Sequence, residues 1–116
     1  MINIKPTIYT TLVSVLDIVH DGYPSSFSNF PVIAYCEEDN HTHIKTDDRE
    51  RIAYVRYKID IWSDKSTSSL TIDVDNAISL LGLKRTQCVD IVEQDLKHKV
   101  LRYEGYIDVD KLRLYN

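Results

Sequence analysis

His41-Thr42-His43 places two imidazoles two residues apart, a spacing that projects both to one side of a strand, as metal ligands need. A zinc site takes three or four ligands, and Glu37, Glu38, Asp39, Asp47 and Asp48 are near enough in sequence to supply them. Any acidic loop offers as much, so the stretch reads first as a solvated polar hairpin. His20 and His98 stand alone. Asp108 and Asp110 have strand spacing for a carboxylate pair, whereas Asp73 and Asp75 diverge around a helix. Acid–base work on a glycoside needs a set separation across a cleft, so both pairs read as solvated charge. Three isolated glycines make no phosphate loop, and no nucleophile elbow, dinucleotide fingerprint or zinc-finger cysteine spacing is present. Cys36 and Cys88 sit in apolar strand-like contexts with no neighbouring base and read as reduced core thiols. No catalytic residue, cofactor or metal ligand is expected, and the chain does not read as an enzyme.

The elements that must position these residues fit one α+β domain over residues 1–116. Area scaling gives about 6,500 Å² of folded surface for this mass, enough burial for one continuous core. The net charge of −4, with bases interleaved among acids, opposes nucleic acid as the principal ligand. The first apolar stretch is broken by Lys5, Pro6 and threonines, unlike a signal peptide. Apolar runs fall far short of the roughly 20 residues that span a bilayer. A soluble protein that stays where it was made, without a membrane partner, is expected.

Ile8, Leu12, Val15, Leu16 and Val19 recur at helical spacing and predict a helix from Pro6 to Val19, stopped by Asp21-Gly22. Tyr23 to Phe30 reads as a loop and Val32 to Glu37 as a strand. Glu38 to Arg51 reads as a long loop or as a polar extension of two hairpin strands. Ile52 to Trp62 alternates strictly: Ala53, Val55, Tyr57, Ile59 and Ile61 face a core, while Tyr54 and Trp62 end the outer face as exposed aromatics. Ser63 to Thr67 offers N-caps for a second helix, with Leu70, Val74, Ala77, Ile78 and Leu81 as its apolar stripe and Gly82 as its C-cap. Strands follow over Gln87 to Asp95 and Lys99 to Asp108. The tail from Val109 is open between a strand, a helical turn and a partner-binding arm. The order predicts an antiparallel or mixed sheet of about four strands with two helices packed on one face.

Eight tyrosines are the compositional anomaly, and Tyr54, Tyr57, Tyr103 and Tyr106 fall on the two clearest strands. Tyrosine joins large contact area to a polar tip and is enriched at interfaces. The candidate partner-binding residues are His41, His43, Lys45, Asp47, Asp48, Arg49, Arg51, Tyr54 and Trp62.

An N-terminal helix leads to FPVIAYCE and a polar hairpin. RIAYVRYKIDIWS then runs into a serine-capped helix ending AISLLGLKR, and KHKVLRYEGYID follows. In this order and texture, over nearly its whole length, the chain resembles the tail completion proteins of long-tailed bacteriophages and prophages, also called tail terminator or head–tail joining proteins. The resemblance implies a small α+β subunit forming a ring, commonly a hexamer, on the finished tail tube. Such a ring stops tube growth and presents a docking face for the head connector protein. It implies no catalytic residues, and interfaces on strand edges and on the hairpin Glu38 to Arg51. It also implies assembly in the bacterial host cytoplasm and residence in the virion. DNA would pass through without specific binding, which an acidic balance favours, and a lumen lined by Arg56 and Lys58 instead of carboxylates would contradict this. The alternatives are another head–tail adaptor or minor tail protein, a small metal-dependent enzyme using His41 and His43, and a dimeric regulatory ligand-binding domain.

Overall fold

The computed structural model describes residues 1–27 and 29–116; within the loop expected from Tyr23 to Phe30, position 28 lies outside the described residues. The chain runs α1 (Lys5–Val13), β1 (Val19–Asp21), β2 (Val32–Thr46), β3 (Arg49–Ser63), α2 (Ser68–Leu80), β4 (Lys84–Val92), β5 (Lys97–Asp108) and β6 (Arg113–Tyr115). The sheet order is β1-β2-β3-β5-β4, with β6 on the far half of β5. The β1–β2 pairing is parallel and every other pairing is antiparallel. This is the α+β mixed-sheet architecture expected, with six strands where about four were foreseen.

Period-2 alternation builds the core. Val55, Tyr57, Ile59 and Ile61 of β3 and Leu101 and Tyr103 of β5 lie on one face, buried with Ile8 and Leu12 of α1 and Val74 and Ile78 of α2. Both helices therefore cover the same face, and each fully buried Ile or Leu contributes about 1.5–3 kcal/mol. The folded surface of 6855 Å² is close to the scaling value.

β2 and β3 form one long hairpin. Asp47 and Asp48 carry φ of 53° and 59°, and positive φ at both central residues marks the tight turn whose twist matches that of paired strands. Glu38 to Arg51 is thus the polar hairpin extension, not a loop. It draws the molecule out to 53 × 24 × 24 Å, with a radius of gyration of 15.1 Å.

Several expectations need correction. The first helix ends at Val13, not Val19. Val19 belongs to β1, where the Ile33 N–H donates to the Ile18 carbonyl and the Gly22 N–H to the Tyr35 carbonyl, so sheet pairing overrides helical spacing. Val15 and Leu16 still pack on the core from the intervening turn. β4 begins at Lys84, three residues early, because its hairpin turn takes up Glu93 to Leu96. Cys88 is exposed on this edge strand and is not a core thiol; Cys36 is half-buried, and both are free. The serines before α2 shape its entry through backbone donors: Lys65 N–H bonds Ser63 Oγ and Ser68 N–H bonds Ser66 Oγ.

Gly82 ends α2 at φ +105°, and a Cβ there would lie 2.6 Å from the Leu114 carbonyl oxygen. Gly82→Ala is expected to cost about 2 kcal/mol or more, from left-handed strain plus displacement of β6. Gly22, at φ +87° with open space around it, should lose only the strain, about 1 kcal/mol, on becoming Ala. Denaturant titration of the two variants checks the difference; equal losses would mean that the β6 contact contributes nothing.

Candidate interaction surface

The face of the sheet opposite the helices is built in rows by the strand registers. At the hairpin end His41 lies beside Tyr54 and Tyr54 beside Tyr106, with Tyr115 of β6 next along the row. The rings touch in turn: His41–Tyr54 at 4.9 Å, Tyr54–Tyr106 at 5.8 Å and Tyr106–Tyr115 at 5.6 Å, with His43 4.7 Å from Tyr106. The middle rows are charged but internally matched. Glu38 takes Arg102 at 3.0 Å and Arg56 at 3.5 Å, and Lys58 lies 3.5 Å from Asp60.

The tip of the hairpin is braced from the C-terminal side. Arg49 and Arg51 both bind the carboxylate of Asp110, Arg51 at 2.9 Å, and the Arg51 Nε–H also donates to Thr46 Oγ1 at 2.7 Å. Lys45 lies opposite Glu50 in the ladder, and Asp47 and Asp48 form the turn. The Thr42 hydroxyl and then the amino terminus hold the Glu50 carboxyl below its ordinary range. Tyr54 donates to Glu104, and burial, followed by that hydrogen bond, pushes its phenol up.

Eight of the nine candidate residues therefore gather on the hairpin: His41, His43, Lys45, Asp47, Asp48, Arg49, Arg51 and Tyr54. Trp62 does not join them. It lies eight residues along β3 from Tyr54, about 26 Å away, and is only 2% exposed. Phe27 and Tyr23 meet its ring edge-on at 5.2 and 5.5 Å, and His98 stacks on it at 4.4 Å. The loop after β1 folds back over this end of the sheet, which strand alternation cannot reveal. Tyr106, Tyr115 and Asp110 belong to the surface and were not among the candidates. The tyrosine excess pointed to the first, while the two others depend on the tail returning as a strand.

Chemistry has little to work with. Among the described residues no three His, Cys, Asp or Glu side chains gather as a metal-ligand set, and His41 Nδ1 lies 3.0 Å from Asp39. Burial, then the Glu38 carboxylate, raises the Cys36 thiol, the wrong direction for a nucleophile. Asp108 accepts the backbone N–H groups of Asp110 and Lys111, shaping a turn. A cleft of about 450 Å³ lies between the start of α2 and the β4–β5 hairpin; its two acids are taken, Asp90 by Lys99 and Glu93 by His98, and Lys65 and Lys97 complete its charged lining. No helix among the described residues is long and apolar enough to cross a membrane.

No protein-family model and no curated protein matches the sequence. Among solved structures, a chain from one described as "Virion of native gene transfer agent (GTA) particle" superposes with a TM-score of 0.57. The match covers 84% of this chain and 88% of that one at 13% identity. At that identity the likeness is one of fold, and it spans nearly the whole of both chains.

Proposed function

We propose that this protein is a non-enzymatic structural subunit of a phage-like virion, a tail terminator. It would form a ring that caps the tail tube and joins it to the head connector. The observation that carries the reading is the fold shared, over most of both chains, with a component of a gene transfer agent virion. Its support from the residues is the hairpin: a long, braced, polar arm with an aromatic row on one side suits protein contact better than catalysis. Arg56 and Lys58, the bases at issue for a DNA conduit, each have a carboxylate neighbour, so neither offers an unmatched charge to phosphates.

Light scattering across a range of protein concentrations tests the ring. Six chains of 13.5 kDa give a species of about 81 kDa, which is the expected mass. A strict dimer at every concentration would sink the ring and favour a two-fold regulatory domain.

A further inference from the structure

We propose that β4 of one copy pairs with the free edge of β2 in the next copy, so that the sheet runs on from subunit to subunit. This rests on the ring reading above and supplies the joint that the ring requires.

Two long stretches of strand edge are open. β1 covers β2 only along Ile33 to Tyr35. From Cys36 to Thr46 the outer edge of β2 meets no other strand, and no backbone hydrogen bond reaches it among the described residues. β4 is the terminal strand on the opposite side, nine residues long and exposed at all but one of them. Soluble proteins blunt such edges with proline, shortness, charge or bulges, and on β4 the bulge and the two bases are confined to Lys84 to Gln87. β4 has no proline, and its second half carries Val89, Ile91 and Val92, the last 98% exposed.

Strand direction fits a head-to-tail joint. β4 is antiparallel to β5, β5 to β3 and β3 to β2, so β4 is antiparallel to β2. Carrying the sheet onto the next copy therefore makes an antiparallel ladder with the helices kept on one side, longest along Asp39 to Thr42, where β2 is free of bulges. The joint runs diagonally, because β4 borders the Lys97 to Glu104 half of β5 while the open part of β2 lies toward the hairpin tip. The strands then tilt from the ring axis, as they do in a closed barrel. A two-fold β4–β4 pairing closes one edge and leaves the eleven-residue edge open. The head-to-tail joint closes both, and a ring closes all of them.

Thiol cross-linking tests the joint. Cys88 is opposite Leu101 and so lies on the helix side of the sheet; Asn40 and Thr42, opposite Val55 and Ala53, lie on that side of β2, and His41 on the other. In a Cys36→Ser chain that keeps Cys88, Thr42→Cys or Asn40→Cys should give a ladder of disulfide-linked oligomers under mild oxidation. The yield should be at least tenfold that of His41→Cys, because a disulfide needs its two Cβ atoms about 4 Å apart. Thr42 is exposed and its variant gives up only the surface hydroxyl bond to Glu50, so it keeps the test sound if Asn40→Cys, which loses the bond to the Ile2 carbonyl, folds poorly. Covalent dimers from Cys88 alone would overturn the joint in favour of a two-fold contact. A ring-sized mass without the ladder would overturn the joint and leave the ring standing. A monomer by mass with no ladder would overturn both.

Discussion

Trp62→Ala is expected to lower stability by about 3–5 kcal/mol, the range for truncating a buried aromatic that its surroundings cannot refill. The ring closes the end of the sheet opposite the hairpin tip, packed with Val32 and Ala34 beneath and Phe27, Phe30 and Leu96 around it. Its loss also uncovers His98, which is held between Asp60 and Glu93 at 2.7 Å each. Both carboxylates accept from the ring, so the half-buried imidazole depends on the indole to keep it aligned between them. Trp62 is the chain's only tryptophan, so the variant is followed by circular dichroism; a melting temperature lower by on the order of 10 °C or more is the expected reading. A loss under 1 kcal/mol, with weakened assembly instead, would return Trp62 to the interface.

The second large effect concerns two tyrosines paired across β3 and β5. Tyr57 donates to Glu37 at 2.6 Å and Tyr103 to Asp75 at 2.7 Å, and both rings are fully buried. Burial first, and then the accepting carboxylate, raises each phenol far above its ordinary range. Tyr57→Phe and Tyr103→Phe should each cost about 1–3 kcal/mol, the worth of a hydrogen bond to a charged acceptor. The two residues are register partners, so the double variant should depart from additivity. The folded state holds both protons more tightly than the unfolded chain. Their contribution is therefore whole below pH about 10, the unfolded phenol value, and is lost as pH rises beyond it. Stability near pH 11 should fall more steeply with pH in the parent than in the double variant. Equal slopes would mean that neither phenol resists ionisation.

The strands and second helix were legible in the sequence where one period dominates. Val55, Tyr57, Ile59 and Ile61 alternate without interruption, and Val74 and Ile78 mark the buried face of α2. What escaped depends on partners distant in sequence. Val19 keeps helical spacing with Leu12 and Val15, yet its backbone pairs with Ile33, fourteen residues further along the chain. Trp62 and Cys88 show the same limit from opposite sides. Alternation assigns a face but says nothing of what covers it: a loop buries the outward Trp62, and no helix reaches far enough to bury the inward Cys88. The hairpin turn was ambiguous because Asp47-Asp48 is a less emphatic turn signal than Asn-Gly, although Asp tolerates the left-handed region. On the surface, the hairpin candidates fell together because they are contiguous in sequence, while Asp110 and Tyr115 needed the tail to come back.

The drawn-out hairpin also governs how a single copy moves through solvent. A compact chain of this length would have a radius of gyration of about 13 Å, against the 15.1 Å found here. Drag follows the long dimension, so a lone subunit should diffuse more slowly than a sphere of its mass and leave a sizing column early, at the position of a heavier globule. Retention volume alone would thus mistake the monomer for a larger species. In a ring the arms are absorbed into a more isotropic body, and the discrepancy between retention and scattered-light mass should shrink as subunits join.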